Sequence, residues 1–289
     1  MNYLLHLLVF YEVYVVVALS LNLLIGYGGL LQVAHAAYFG IGAYTSALVV
    51  TKLGVGFLPS LFLSALISGV LSLLVSLPAW RFRGDYFVMV SLAVQVVIYS
   101  AIYNWTSLTN GPFGVTDIPR PEIFGIIFDT SSDVCAFYSV IVTLLAMLLA
   151  MLKMSPFGRS LQAMRDDELA ARSLGIQTRT LKVQAFLVAS AMVGIAGGMY
   201  GAYVSYIDPT SFTLDSSILM LSMVIVGGTG NVKGPLIGAA VLVGLPEILR
   251  LVAIPDPVAA NVRLLAYGLL MVLMMLWRPQ GLAGKYRFE

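Results

Sequence analysis

Few residues of this chain could carry out chemistry, and the acidic residues that stand together are Asp166, Asp167 and Glu168. A hydrolytic enzyme needs positioned carboxylates, and a metal centre needs clustered His, Cys or acidic ligands. The chain has only two histidines, His6 and His35, and one cysteine. It also lacks the Gly-x-x-x-x-Gly-Lys-Ser/Thr loop that binds nucleotide phosphates. The sequence therefore predicts a protein that is not an enzyme and binds no metal or cofactor of its own.

The composition indicates the solvent in which these residues lie. Of the 289 residues, 60% are hydrophobic and 10% are charged, whereas a soluble domain has about 45–50% apolar and about 25% charged residues. So few charges cannot cover a water-facing surface, and we expect the chain to lie mostly in lipid. This excludes a soluble enzyme, a nucleic-acid-binding protein and a disordered scaffold.

Apolar runs of bilayer-spanning length predict helices, because the open edges of a sheet cannot be satisfied in lipid. The predicted fold is all-α: one transmembrane domain over residues 1–289, built as a polytopic membrane helix bundle of about eight to ten transmembrane helices. The candidate segments lie at about 3–26, 30–51, 57–80, 85–103, 133–152, 183–206, 214–230, 235–253 and 260–277. Two long loops remain, an outer loop at about 104–132 and an inner loop at about 153–182.

Basic residues orient the bundle, since loops rich in Lys and Arg stay on the cytoplasmic side. Strict alternation of the spans places twelve of the sixteen basic residues on the side of the inner loop. These are Arg81, Arg83, Lys153, Arg159, Arg165, Arg172, Arg179, Lys182, Lys233, Arg278, Lys285 and Arg287. The outer loops hold Lys52 and Arg120. We expect the inner loop and the C-terminus in the cytoplasm and the N-terminus outside, unless a re-entrant stretch at 26–42 moves the N-terminus inside.

The inner loop predicts a short amphipathic helix at about 156–174. Ser155 followed by proline is a helix-start signal, and Gly175 is a stop signal. Between them an apolar stripe, with Glu168 in its middle, is formed by Phe157, Leu161, Met164 and Ala171. Such a helix either lies on lipid headgroups or inserts into a groove of a partner protein. Its acidic cluster and small residues favour the partner protein.

Two clusters of glycine stand about 200 residues apart. The first comprises Gly26, Gly28, Gly29, Gly40 and Gly42, and the second comprises Gly227, Gly228, Gly230, Gly234 and Gly238. Glycines permit close packing of membrane helices, and helix breaks at corresponding places in two halves of a transporter mark its pathway. Both interpretations stay open. The clusters fall on the second and seventh segments, which run in opposite directions, and this would fit an inverted repeat with broken or re-entrant segments.

Three uncharged polar residues accompany the first cluster, namely Asn22, Gln32 and His35. They are candidates either for the pathway or for interhelical hydrogen bonds. For His35 we favour a structural role near the glycine-rich break, because a proton relay would need a partnered acid that the sequence does not identify.

Several motifs resemble those of one family. The sequence Ala-Ala-Arg-Ser-Leu-Gly at 170–175 is similar to the Ala-Ala-x-x-x-Gly core of the cytoplasmic loop in ABC importer permeases. The remaining similarities are to the branched-chain amino acid permeases: Leu-Asn-Leu-Leu-x-Gly-Tyr-x-Gly at 21–29, Ala-His-Ala-Ala-Tyr-Phe-Gly-Ile-Gly-Ala-Tyr at 34–44, Ser-Pro-Phe-Gly-Arg at 155–159, Ala-Met-Arg-Asp at 163–166, Gly-Gly-x-Gly at 227–230 with Gly-Pro at 234–235 and Gly-Ala at 238–239, and Arg-Pro-x-Gly-Leu at 278–282. In one departure, Leu169 replaces the usual glutamate before the alanine pair, and Glu168 stands one residue earlier.

This resemblance covers about residues 20–283 and is to the LivM type of the two permeases in such systems. It implies a permease subunit in the bacterial cytoplasmic (inner) membrane that imports leucine, isoleucine or valine. The implied partners are a second permease of the LivH type, two ATP-binding subunits that hold ATP and Mg²⁺, and an extracytoplasmic solute-binding protein that docks near 104–132. The implied ATPase-coupling residues are Phe157, Arg165, Asp166, Glu168, Ala170, Ala171 and Gly175.

Two alternatives stay open at this point. The same family also serves urea, amides and other amino acids. A self-sufficient secondary carrier or channel would instead need a charged coupling site in mid-membrane, and Glu12 is the isolated acid deep in a predicted span.

Overall fold

The computed structural model describes residues 2–82, 84–123, 126–128, 130–251, 256–278 and 280–284. Three of the basic residues that the charge count placed inside, Arg83, Lys285 and Arg287, lie outside the described residues. The prediction of an all-α helix bundle is confirmed. The helices are α1 (Asn2–Asn22), α2 (His35–Leu53), α3 (Phe57–Leu71), α4 (Leu73–Ser76), α5 (Asp85–Asn104), α6 (Thr106–Thr109), α7 (Ser131–Met154), α8 (Pro156–Asp166), α9 (Glu168–Ser173), α10 (Thr178–Val204), α11 (Leu214–Gly227), α12 (Lys233–Leu251) and α13 (Asp256–Trp277).

Each predicted apolar segment overlaps at least one of these helices, and the segment at 57–80 holds two, α3 and α4. Within the described residues, five stretches are long and apolar enough to cross a membrane, namely Tyr3–Tyr27, Phe57–Ser76, Asp85–Asn104, Ser131–Met154 and Thr178–Val204. Leu214–Gly227 and Asn261–Met274 are shorter apolar helices. The seventh segment is therefore not a complete span by itself, and its helix α11 has only 14 residues.

Two ends of the bundle can be told apart by the contacts of α1. Near its start, His6 Nδ1 lies 2.8 Å from the hydroxyl of Tyr203 at the end of α10. The other end of α1 runs into a π-helical turn, Leu23–Tyr27, which contacts α8. We call the end that carries α8 and α9 the loop face, and the other end the opposite face.

The chain reverses direction at 28–34, between the π-helical turn and α2, and the rest of the stretch at 26–42 is helical. Nε2 of His35, the first residue of α2, lies 2.8 Å from Ser20 Oγ, which is about two helical turns before the π-helical turn ends at Tyr27. The π-helical turn ends at the loop face, whereas α2 begins about 10 Å inside the bundle and runs from there towards the opposite face.

Helices α2, α3 and α10 form the most tightly packed part of the bundle, and small residues allow it. A Cβ on Gly42 would lie 2.2 Å from the carbonyl oxygen of Gly194, and a Cβ on Gly197 would lie 2.1 Å from that of Phe39. Ser64 Oγ donates to the Gly42 carbonyl at 2.9 Å. Close backbone approach and interhelical hydrogen bonds are the usual means of joining helices in lipid.

The opposite face carries the long loop between α5 and α7. It contains α6, a 3₁₀ turn at Gly111–Phe113, and a small antiparallel hairpin of β1 (Glu122–Ile123) and β2 (Ile126–Ile127). Val115 pairs with Ile207 in an isolated antiparallel bridge, with backbone N–O distances of 2.9 and 3.0 Å. This bridge attaches the loop to the segment that joins α10 to α11.

Candidate functional site

The inner loop forms two helices where the sequence predicted one. Ser155 begins α8 as expected, because its Oγ accepts from the Gly158 amide at 3.3 Å. Asp167 then leaves helical geometry at φ −155° and caps α9, accepting from the amides of Leu169 and Ala170 at 2.8 and 3.0 Å. Aspartate favours such N-cap positions because its carboxylate satisfies free helix amides. The acidic cluster thus contains a helix break.

The predicted apolar stripe faces the bundle. Leu161, Met164 and Ala171 are at most 4% exposed, and Phe157 is half-buried. The apolar and small residues turned outwards in and just after α9 include Leu169, Ala170, Leu174 and Gly175, and the exposed fractions of Leu169 and Leu174 are 67% and 81%. We call these four residues the outer ridge. Of the alanine pair, only Ala170 is available to a partner.

Glu168 holds α9 against α10. Its carboxylate accepts from Arg172 Nη2 at 2.6 Å, from Thr178 Oγ1 at 3.2 Å and from Lys182 Nζ at 3.2 Å. Lys182 is buried and also donates to the carbonyl of Ala79 at 3.3 Å. The side chain of Glu168 is 17% exposed, so it serves the loop's own structure more than the surface. Sequence reasoning placed Lys182 only in the charge count and did not identify this role.

Arg165 joins α8 to the end of α1. Its Nη1 donates to the carbonyl oxygen of Gly26 at 2.5 Å, while its Nε and Nη2 donate to Asp166 at 3.1 and 2.6 Å. The Arg165 side chain also lies against Gly29, where a Cβ would come within 2.6 Å of Arg165 Cγ. Gly29 has φ +65°, so this position suits glycine for both space and backbone geometry.

The two glycine clusters meet beside this contact. A Cβ on Gly26 would lie 2.7 Å from the amide nitrogen of Gly230. Asn22 connects the same two segments, because its Oδ1 accepts from the Gly230 amide at 3.2 Å and its Nδ2 donates to the Asn231 carbonyl at 2.9 Å. Lys153 Nζ donates to the Gly230 carbonyl at 3.4 Å and lies 5.4 Å from the centre of the Tyr27 ring. The structure thus gathers these residues at the loop face.

The rest of the second cluster packs backbone on backbone. A Cβ on Gly227 would lie 2.0 Å from the carbonyl oxygen of Gly234, and a Cβ on Gly234 would lie 1.8 Å from that of Gly228. The chain end covers this turn, since the amides of Leu282 and Ala283 donate to the carbonyls of Val226 and Gly227 at 2.9 Å each. These contacts are close packing, which was one of the two interpretations for the glycines.

Gln32 and His35 form a buried chain of hydrogen bonds. Gln32 Oε1 accepts from the Ala34 amide at 2.7 Å, so its amide nitrogen is the atom that donates to His35 Nδ1 at 2.9 Å. The other ring nitrogen, Nε2, then donates to Ser20 Oγ at 2.8 Å, since that hydroxyl gives its own proton to the Val17 carbonyl. Both residues are fully buried, and this network fixes the start of α2.

Among the first-cluster glycines, Gly40 is the one that contacts the segment before α11. A Cβ on Gly40 would lie 2.9 Å from Cγ of Phe212, in the 3₁₀ turn Pro209–Phe212. Gln95 of α5 fixes the same turn, because its Nε2 donates to the Phe212 carbonyl at 2.9 Å while its Oε1 accepts from the Ala37 amide at 2.8 Å.

The stretch at 205–213 interrupts the helices inside the bundle, and the sequence did not mark it. Gln95 is the eleventh of the 20 residues of α5; at about 1.5 Å per residue it lies about 15 Å from either end. Its bond to the Phe212 carbonyl puts the start of α11 at the same depth. The stretch contains no glycine, and its available signal was the polar run Asp-Pro-Thr-Ser-Phe-Thr-Leu-Asp-Ser-Ser at 208–217.

The family model described as "Branched-chain amino acid transport system / permease component" matches residues 3–275. The high-affinity branched-chain amino acid transport system permease protein LivM of Escherichia coli is 34% identical over 294 residues, which cover 93% of this chain and 67% of that protein. The corresponding LivH protein is 24% identical, covering 96% of this chain and 92% of that protein.

An archaeal relative is similar along nearly its whole length. The probable branched-chain amino acid transport permease protein LivM of Methanocaldococcus jannaschii is 28% identical, covering 96% of this chain and 92% of that protein. Together with the apolar helices, these relatives identify a multi-pass membrane protein. The chain belongs to the family of branched-chain amino acid transport system permeases.

Proposed function

We propose that this chain is the LivM-type permease subunit of an ATP-driven importer in the bacterial inner membrane. It would work with a second permease of the LivH type, two ATP-binding subunits and an extracytoplasmic solute-binding protein. Family membership supports this assignment. The main structural observation in its favour is the outer ridge, which belongs to a rigidly held pair of helices. The cargo would be leucine, isoleucine or valine, the substrate class in the names of the relatives.

The loop face would be cytoplasmic and the opposite face extracytoplasmic. Basic residues support this orientation, because they accumulate on the cytoplasmic side of membrane proteins. Lys153, Arg165 and Lys182 all contact residues of the loop face. Lys52 instead donates to the carbonyl of Leu108 in the loop of the opposite face.

The outer ridge would insert into a groove of an ATP-binding subunit. Leu174 is 81% exposed and Leu169 is 67% exposed on a helix that is otherwise fixed by charges. Exposed apolar side chains beside charged residues are typical of a docking surface, because covering apolar groups with a partner is energetically favourable. Glu168 and Lys182 would keep α9 rigid, so that movement of the partner moves the permease.

Force on the ridge would reach the bundle through Arg165. Its bond to the Gly26 carbonyl connects α8 to the π-helical turn Leu23–Tyr27, and Asn22 connects that turn to the start of α12. A cavity of about 400 Å³ separates the loop from the stretch around Ala79 and Val88, which leaves room for such a movement. ATP and Mg²⁺ would stay on the partner subunits.

The test is assembly and uptake by the complete complex. The chain is co-expressed with its LivH-type partner, the ATP-binding subunits and the binding protein, and radiolabelled leucine, isoleucine and valine are offered to proteoliposomes. We expect ATP-dependent uptake, and Leu174→Asp should abolish co-purification of the ATP-binding subunits because it places a charge on the ridge. Thr180→Asp, at an exposed site on the same face, is the matched control. Uptake without ATP-binding subunits would instead support a secondary carrier.

A further inference from the structure

We propose that the carboxylate of Asp215 faces the transport pathway and binds the ammonium group of the amino acid in transit. This inference rests on the proposed function, because it names the chemical group of the cargo that the permease contacts. Three observations lead to it: the depth of Asp215, its exposure, and the polar segment that leads to it from the opposite face.

The depth of Asp215 follows from its neighbours. Ser217, two residues further along α11, donates its Oγ to Gln95 Oε1 at 3.3 Å and accepts from the Ala36 amide at 3.0 Å. Gln95 is at the middle of α5, a helix that is long and apolar enough to cross a membrane. Asp215 therefore lies close to the middle of the bilayer, within the first turn of α11.

Asp215 is also exposed, unlike two other acids within the helices of the bundle, Glu12 and Glu247. Glu12 is half-buried and accepts a hydrogen bond from Cys135 at 3.5 Å, and Glu247 accepts one from Tyr3. Within the described part of the chain, Asp215 has neither a hydrogen-bond nor a salt-bridge partner. A charge at this depth that faces lipid would cost several kcal/mol, roughly 3 on insertion scales, so such residues face water, cargo or another charge.

A polar segment leads from the opposite face down to Asp215. Between Val204, where α10 ends, and Leu214, where α11 begins, the chain is not α-helical. Non-helical backbone at membrane depth is found where it is buried in protein or lines an aqueous cavity. Here Pro209 and Phe212 are turned inwards and buried, whereas Thr210 is exposed and Ser211 and Thr213 are half-buried. This combination fits the wall of an aqueous passage.

The same segment is tied to the loop of the opposite face. Val115 and Ile207 exchange backbone hydrogen bonds of 2.9 and 3.0 Å, and the Ile118 amide donates to the Ser205 carbonyl at 3.2 Å. A movement of the loop would therefore be transmitted to the entrance of the passage. In the proposed orientation, that loop is the one that meets the solute-binding protein.

The chemistry of the cargo fits a single carboxylate. A zwitterionic amino acid carries an ammonium group that donates up to three hydrogen bonds, and a charge-assisted bond to carboxylate is about twice as strong as a neutral one. A site inside the passage has to bind weakly enough to release its cargo. One exposed carboxylate with hydroxyl neighbours meets that requirement better than a closed pocket.

The first test measures access to water in the assembled complex. In a Cys135→Ser background, Asp215→Cys is treated with a membrane-impermeant, water-soluble methanethiosulfonate, which modifies thiols that contact water. We expect labelling, and slower labelling during turnover with leucine-loaded binding protein and ATP. Ala93→Cys, exposed on α5 two residues before Gln95, is the matched lipid-facing control and should stay unlabelled. Failure to label Asp215→Cys would overturn the proposal and place Asp215 against lipid or the second permease.

The second test separates charge from shape. In proteoliposomes, Asp215→Asn and Asp215→Ala should lower the maximal rate of leucine uptake about tenfold, a change of about 1.4 kcal/mol, while Asp215→Glu stays within about twofold of the wild type. KM should change little, because the binding protein captures the solute. Asp133→Asn removes an exposed acid in the first turn of α7 and is the control.

The outcomes distinguish this inference from the proposed function. Wild-type rates in Asp215→Asn would overturn ammonium binding even if the thiol is labelled. A wild-type complex that transports none of the three branched-chain amino acids, yet labels at Asp215→Cys, would reject the proposed cargo and leave Asp215 in the pathway. Loss of complex assembly in Asp215→Asn with normal assembly in Asp215→Glu would identify an interface salt bridge and would also overturn the proposal.

Discussion

Arg165 donates a hydrogen bond of 2.5 Å to the carbonyl oxygen of Gly26, and this bond joins the loop helices to the end of α1. The acceptor lies in the π-helical turn Leu23–Tyr27. A π-helical turn departs from the regular i→i−4 hydrogen-bond pattern and is often found at functional sites. The Arg165 side chain is 11% exposed, and its guanidinium is held in place by Asp166. The contact thus connects the loop helices to the long helix α1, beside the contact that Glu168 makes with α10.

Removing this bond should uncouple the transporter without removing its partners. For Arg165→Ala we expect the ATP-binding subunits to co-purify, because the outer ridge is intact, and leucine uptake per ATP hydrolysed to fall about tenfold. Uptake and phosphate release are measured together in proteoliposomes. Arg159→Ala removes an exposed arginine of the same helix and serves as control. Loss of co-purification in Arg165→Ala would show that the bond shapes the docking surface instead.

The two alanines of the loop should respond differently to enlargement. Ala171 is 2% exposed, so Ala171→Leu overpacks the loop and should destabilise it by about 1–3 kcal/mol. Ala170 is exposed, so Ala170→Leu should leave stability unchanged and weaken only the association with ATP-binding subunits. Thermal stability in detergent and co-purification give the two readouts. Equal loss of stability in both variants would contradict this division.

The pair of Glu168 and Lys182 should contribute measurably to stability. Lys182→Met leaves Glu168 without its buried partner and should cost about 2 kcal/mol, below the range for fully buried pairs because Glu168 is 17% exposed. Arg179→Met, at an exposed site three residues earlier, is the control. Adding Glu168→Gln to Lys182→Met should restore part of the loss, because position 168 then no longer carries a charge that Arg172 alone has to balance. A double variant less stable than either single variant would argue against the pairing.

Close packing at Gly42 should tolerate no side chain. Gly42→Ala would place Cβ 2.2 Å from the Gly194 carbonyl oxygen, so α2 and α10 must separate. We expect a several-fold lower yield of folded protein by fluorescence-detected size exclusion. Gly244→Ala is the control, because a Cβ there meets nothing within 4 Å. A normal yield for Gly42→Ala would show that the contact between α2 and α10 can relax.

The orientation can be tested with single cysteines in a Cys135→Ser background. Arg179→Cys lies on the loop face and Ser107→Cys on the opposite face, and both sites are exposed. In intact cells an impermeant thiol reagent should label Ser107→Cys, and Arg179→Cys should become reactive only after the membrane is opened. The reverse pattern would invert the proposed topology.

The sequence by itself determined the solvent, the helices and the family. Membrane helices form their backbone hydrogen bonds within each segment, so apolar runs were enough to predict nine segments and an all-α bundle. The start of a helix could also be predicted from the local sequence, since Ser155 begins α8 as predicted. The family motifs at 21–44 and 155–175 needed no structure, because they depend on order and spacing along the chain.

Only the tertiary structure decided which side chains meet and which face outwards. The helical pattern placed Ala171 on the apolar stripe, but which residues stay open to a partner, Ala170 among them, depends on how α9 is held against α10. The glycine clusters were visible in the sequence, but their meeting at Gly26 and Gly230 required two segments about 200 residues apart to pack together. The mid-depth start of α11 depends on long-range bonds from Gln95 and Ala36. Position along the chain does not encode depth in the bilayer, and that is why Asp215 became conspicuous only in the folded protein.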